Sequence, residues 1–396
     1  MSWNVMRGNL MSPTPDTKPA RFLKIGLVLD TSLDPADGVQ QYVVMVGEWL
    51  RAQGHDVHYL VGETRERDLP NIHSLARNFK VQFNGNRTTI PLPTSRRKLR
   101  DFIQRERFDV LHVQTPHHPL LAQRLVLAAG QQTAVVGTFH ILPYDWLARW
   151  STKALGLWLR PSLKRLDALL AVSPSAAEFV GWAFGMEAKV LPNVIDYERF
   201  ASAQPYAAAD DRLNILFLGR LVQRKGCRYL LEAVTRLNRS TLPPFRVTIC
   251  GKGELMDELK QYVRDHDLDD IVNFAGFVSE EDKPSYYADA DIAVFPSTGG
   301  ESFGIVLIEA MASGRATVLA GNNPGYATVM APQPDLLFEP SDTQELANLL
   351  THYLTDDQAR TQMARWGGDY AKRFDVNLIG QELVDLYERL LQDRNV

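Results

Sequence analysis

DIAVFPSTGGESFGIVLIEAMASG, residues 291–314, runs through three kinds of local structure without interruption. DIAVF is a short continuous apolar run, the kind that suits a strand covered on both faces. STGG turns the chain, and an apolar helix is expected to start near Phe303. This spacing puts Glu301 in the glycine-rich loop and Glu309 two turns into the helix. Ser302, Phe303, Gly304 and Ile305 then present unsatisfied N–H groups and a positive dipole end, which suits a diphosphate. Glu301, just before the helix, is placed to accept hydrogen bonds from sugar hydroxyls, and Glu309 to reach a ribose diol. Taken singly, Glu301 also reads as a helix cap and Glu309 as a solvent-facing carboxylate.

Working outward, FLGRLVQRKG at 217–226 closes another apolar run and supplies Gly219, Arg220, Arg224 and Lys225 in one loop. Cations gathered there can neutralise charge on a departing phosphate. An isolated loop of this kind reads as a solvated basic turn. Its company with the glutamate loop favours a site, because both lie at carboxyl ends of strands, where open αβ sheets bind ligands. Further runs at 213–221, 245–253, 271–278, 291–297 and 316–321 alternate with helix-period segments. The same alternation fills the first half, with strands expected at 24–30, 56–62, 108–114, 134–140 and 168–173.

The fold class is therefore α/β, with two Rossmann-like domains over 22–200 and 213–375. A linker is expected at 201–212, where small, polar and proline residues break the pattern. Residues 1–21 read as a flexible extension, and 376–396 as a helix with Leu378, Ile379, Leu383, Leu386, Tyr387, Leu390 and Leu391 on one face. Two domains also suit 396 residues, since single cores stop growing at roughly 250 to 300.

Composition narrows the partners. Net charge of −4 and a pI near 6.2 argue against nucleic acid, which demands a dominant basic field. Mean hydropathy of −0.20, and no run of about eighteen apolar residues, exclude a spanning helix. Cys227 and Cys250 show no CxxC spacing, so neither a disulfide framework nor a zinc site is supported, and a cytoplasmic location is expected. GKGELM at 251–256 lacks the last glycine of a dinucleotide fingerprint, there is no P-loop, and DLDD at 267–270 reads as a surface turn rather than a metal motif. In the first half, Gly38 opens a helix after the first strand and lets a ligand approach the backbone. His140 ends a strand at the same edge, where a single His is more often packed than catalytic.

Together these stretches resemble the retaining nucleotide-sugar glycosyltransferases of the GT-B fold, family 4. Within that family, DGVQQYV, NFKVQFNG, FDVLHVQTPHHP, GTFH, GRLVQRKG and GGESFGIVLIEAMASG are similar to stretches of the bacterial phosphatidylinositol mannosyltransferases. The likeness runs from Lys24 to about Leu391. It implies two domains facing each other across a cleft, with the terminal helix crossing back to the first. It also implies that Arg220 and Lys225 contact the donor diphosphate with help from Arg224, that Glu301 holds the transferred sugar and that Glu309 binds ribose. Val278 and Lys283, in GFVSEEDK, would lie around the base, which favours GDP-mannose over a UDP-sugar. His140 would touch the sugar from the other domain. No metal or cofactor is implied, and the acceptor is expected to be a lipid such as phosphatidylinositol. Asp37 before Gly38 and Thr31 depart from the family pattern and leave the acceptor open, while Val194, where many relatives have glycine, affects a turn more than chemistry. A UDP-sugar with a soluble or polysaccharide acceptor, or a non-catalytic nucleotide-sugar-binding protein, are the alternatives.

SRRKLRDFIQRERF at 95–108 carries six basic residues against two acidic, around a narrow stripe of Leu99, Phe102 and Ile103. Arg96, Arg97, Lys98 and Arg100 are thus candidates for contact with anionic lipid at the inner face of the membrane. The other reading is a solvated face over a core-facing stripe.

Overall fold

A computed structural model describes residues 22–34, 37–66, 68–83, 86–143, 146–206 and 211–394. The expected extension, residues 1–21, and residues 207–210 of the expected linker lie outside them. The chain forms two compact units, one running to Val194 and resuming at Val376, the other Ile195–Asp375. The first break thus precedes the expected linker. A short helix, Tyr197–Ala201, already belongs to the second unit, with Asp196 accepting from the Arg199 N–H at its start and Asp375 from the Tyr197 N–H.

The first unit contains β1 Lys24–Leu29, β2 Asp56–Val61, β3 Ile72–Ser74, β4 Asn78–Phe83, β5 Asn86–Pro91, β6 Val110–Gln114, β7 Ala134–Phe139, β8 Ala168–Ala171 and β9 Lys189–Val190. Seven of these build a parallel sheet in the order β3-β2-β1-β6-β7-β8-β9, while β4 and β5 pair as a separate antiparallel hairpin. The short edge strands β3 and β9 are too brief to leave a sequence pattern, and the hairpin lacks the apolar run of a buried strand.

The second unit contains β10 Leu213–Leu218, β11 Phe245–Cys250, β12 Val272–Gly276, β13 Ile292–Phe295, β14 Thr317–Gly321 and β15 Leu337–Phe338. They form a parallel sheet in the order β12-β11-β10-β13-β14-β15. In each unit the first strand sits centrally and the order reverses beside it, between β1 and β6 and between β10 and β13. Loops leaving such a reversal diverge to opposite faces and open a crevice at the carboxyl edge.

The terminal helix, Val376–Gln392, completes the core of the first unit rather than extending the second. Ile379, Leu383, Tyr387 and Leu391 pack with Tyr42, Trp49 and Leu50. Trp49 Nε1 donates to Asn377 Oδ1 at 2.9 Å, and the Tyr387 hydroxyl lies 2.7 Å from His112 Nδ1 at the sheet. Leu378, expected on the buried face, is exposed, while Val376 and Val384 take up the stripe. Among the described residues no helix is long and apolar enough to cross a membrane.

Candidate functional site

In the second unit the register Ile215↔Ile292 sets β10 beside β13, so the chains leaving Leu218 and Phe295 emerge together. The basic loop after β10 winds into a 3-10 turn, Gln223–Lys225, and Gly226 at φ 70° releases the chain into the Cys227–Thr235 helix. Only glycine fits there, since a Cβ would stand 2.0 Å from the Pro296 carbonyl oxygen. The Thr298 N–H donates to the Arg224 carbonyl at 2.9 Å, which locks the two loops together.

This contact brings residues about seventy-five positions apart in sequence onto one carboxylate. Arg224 Nη1 donates to Glu301 Oε1 at 2.7 Å, Lys225 Nζ at 2.8 Å and Ser297 Oγ at 2.9 Å. Burial pulls the Glu301 carboxyl upward, but the Lys225 and Arg224 charges and the Lys225 and Ser297 hydrogen bonds outweigh it and hold the group below the usual range. Lys225 is lowered by burial and by Arg224 and Arg220, against the pull of Glu301. Two cations therefore contact a single carboxylate, and the pair exceeds its charge by one in a partly desolvated setting.

Next to it, the Ile305–Ala312 helix starts two residues later than its sequence suggested, because Gly304 at φ 110° turns the chain first. A Cβ on Gly304 would meet the Tyr326 ring at 2.6 Å. Gly304 at the N-cap has no side chain to cap the helix start, whose first-turn N–H groups favour an anion. Gly219 and Arg220 line the same loop, Ser302 and Ile305 are half-buried, and Phe303 is buried against Phe374.

Glu309 is not solvent-facing. It is buried, with Oε1 receiving Lys283 Nζ at 3.1 Å and Oε2 the Tyr287 hydroxyl at 3.1 Å. Lys283 is the buried counter-ion of Glu309 and of Glu280, the latter 2.7 Å away. Burial opposes its charge, yet the two carboxylates overcome that and raise it. Val278 lies half-buried just after β12. Sequence reasoning passed over Ser297, Tyr287 and Glu280. Ser297 could have been found from its place in the same loop as Glu301, whereas the other two carry no local signal.

In the first unit, Gly38 is exposed at the first position of the Gly38–Ala52 helix, and Asp37 makes no side-chain cap bond. His140 is buried, its Nε2 2.6 Å from Gln114 Oε1 and its ring edge-on to Tyr42. Burial drives it down to about 3, against a hydrogen bond to Asn193, so it is neutral at physiological pH. As a neutral imidazole it acts there through hydrogen bonding. Arg96, Arg97, Lys98 and Arg100 are exposed on the Arg96–Glu106 helix, whose Leu99, Phe102 and Ile103 are buried in the core.

A sheet reversal bearing a helix start and clustered cations suits a phosphate-bearing ligand. Two family descriptions match in series: Glycosyltransferase Family 4 over residues 36–199 and Glycosyl transferases group 1 over 198–368. The phosphatidyl-myo-inositol mannosyltransferase of Mycolicibacterium smegmatis is 32% identical over 377 residues, covering 92% of this chain and 94% of that protein. That of Propionibacterium freudenreichii is 28% identical over 382 residues, covering 92% and 94%. Among solved structures, a glycosyltransferase from Rickettsia africae is similar at TM-score 0.71 and 17% identity, over 93% of this chain and 99% of that one. An Anabaena protein in complex with UDP-glucose is similar at TM-score 0.69 and 20% identity, over 93% and 100%. The chain belongs to glycosyltransferase family 4.

Proposed function

We propose that this glycosyltransferase moves mannose from GDP-mannose to a hydroxyl of a phosphatidylinositol-type lipid, with retention at the anomeric carbon. The transferred sugar and the acceptor follow the activity named for the Mycolicibacterium smegmatis relative, which aligns with 92% of the chain. The observation that carries the reading is the pair of cations, Arg224 and Lys225, sharing the single carboxylate of Glu301 beside the start of the Ile305–Ala312 helix. A diphosphate supplies the missing negative charge. On binding, it takes Arg224 and Lys225 over from Glu301 and accepts from the N–H groups at Ile305. Glu301 is thereby released to the sugar hydroxyls, while Glu309, anchored by Lys283 and Tyr287, accepts from the ribose.

In the transfer step the bond between the anomeric carbon and the phosphate oxygen breaks. The acceptor oxygen bonds to that carbon on the same face, and its proton passes to the leaving phosphate. The cations stabilise the charge growing on the leaving group.

A UDP-sugar donor is the second reading, favoured by the fold shared with the UDP-glucose complex. Thermal unfolding separates the two, because a donor at a hundred times its dissociation constant adds about 2.7 kcal/mol. GDP-mannose should protect and UDP-glucose should not. In Lys225→Ala, mannose transfer to phosphatidylinositol should fall by about 10²–10³-fold, the loss of one preorganised charge stabiliser. Undiminished transfer by the folded variant would refute the phosphate role.

A further inference from the structure

Among the described residues, five of the exposed large hydrophobic side chains share one helix of the first unit, Trp146–Leu163. Trp146, Leu147, Trp150, Leu157 and Trp158 are between 57% and 73% exposed. At 3.6 residues per turn they occupy one arc of about 120°, running from Trp146 through Leu157, Trp150 and Leu147 to Trp158. The other side of the helix, Gly156, Leu159, Ser162 and Leu163, is already buried. The arc is therefore a second apolar face rather than a displaced core face.

Charge on this helix is of one sign. Arg149, Lys153 and Arg160 lie on one flank of the arc, Lys164 follows its end, and no Asp or Glu occurs from Trp146 to Leu166. Lys153 Nζ sits 4.3 Å from the centre of the Trp182 ring, Arg149 5.3 Å, and Trp150 stands edge-on to the same ring. The cations are thus held at the border of an aromatic face. Tryptophan flanked by basic residues matches the boundary between lipid headgroups and acyl chains, where the ring is apolar on one side and wet on the other. The Arg96–Glu106 helix differs, because its apolar stripe is buried and it offers charge alone.

We propose that the Trp146–Leu163 helix is the surface that seats this protein on an anionic bilayer, its three tryptophans entering the headgroup boundary and Arg149, Lys153 and Arg160 facing lipid phosphates. The proposal rests on the lipid-acceptor reading above, since a lipid hydroxyl is reached from the bilayer surface.

The test is sedimentation of the full chain with vesicles of phosphatidylcholine alone, and of phosphatidylcholine with about one third phosphatidylglycerol. Neither contains inositol lipid, so binding does not depend on recognising an acceptor. The chain should partition onto the anionic vesicles, with tryptophan fluorescence quenched by brominated acyl chains. The triple variant Trp146→Ser, Trp150→Ser, Trp158→Ser should lose at least about tenfold in partition while keeping its thermal protection by GDP, which shows an intact fold. Equal partition of variant and wild type, or no preference for anionic vesicles, would overturn the proposal. So would a concentration-dependent dimer that the triple variant abolishes, which would assign the face to a second copy. Transfer to detergent-dispersed lipid without vesicle binding defeats this proposal alone. Vesicle binding without transfer to any inositol lipid defeats only the acceptor reading.

Discussion

Replacing Glu301 with glutamine tests the charge imbalance directly, because the amide keeps the shape and removes the anion that Arg224 and Lys225 contact. Two cations contact Glu301 Oε1, at 2.7 and 2.8 Å. At an effective dielectric near 20 each contact is worth about 6 kcal/mol of attraction, most of it offset by the desolvation of the groups. Breaking a buried pair leaves about 3 to 5 kcal/mol of net loss, and side-chain exposures of 13% to 23% place this site at the lower end. About 3 kcal/mol corresponds to a fall of roughly 6 to 12 °C in the melting temperature of a domain of this size. The same substitution should strengthen binding of GDP, since the diphosphate no longer competes with a carboxylate for Arg224 and Lys225. A gain of about 1.4 kcal/mol is tenfold in dissociation constant. The assay is calorimetric unfolding and GDP titration of both proteins, with mannose transfer measured alongside and expected to fall. A variant as stable as the wild type that binds GDP equally well or more weakly would refute the reasoning.

Asp30, at the end of β1, is buried and accepts a hydrogen bond from the Ala122 N–H, with His118 Nδ1 3.8 Å away. Burial pushes its carboxyl up to about 7, against the backbone bonds of Ala122 and Leu121. A raised acid is disfavoured in the folded state once ionised, so stability falls as pH rises from about 4 to about 7, by up to a few kcal/mol. Asp30→Asn should therefore stabilise at pH 8 and change little at pH 4 in urea titrations; an equal effect at both would exclude this origin. Lys283→Met should destabilise by about 3 to 5 kcal/mol in urea unfolding, because it strands Glu309 and Glu280 without their cation. A neutral outcome would mean that the carboxylates already share a proton.

The strand, glycine-loop and helix order was legible at residues 291–314, because turn chemistry and apolar runs are set by short-range sterics and burial. The same holds for the central strands of both sheets, although their ends fell one to several residues short of the apolar runs. The short edge strands and the β4–β5 hairpin left no comparable signal.

The sequence alone determined the αβ class, the two-domain organisation and which loops carry glutamates and cations. Tertiary structure decided the rest: that Arg224 and Lys225 grip Glu301, that Lys283 serves Glu309, that His140 is neutral, and that the Arg96–Glu106 stripe is core while the Trp146–Leu163 arc is not. Local pattern fixes what each segment becomes. Which charge meets which, and which of two apolar faces is covered, depends on the strand order that brings distant loops to one edge of a sheet.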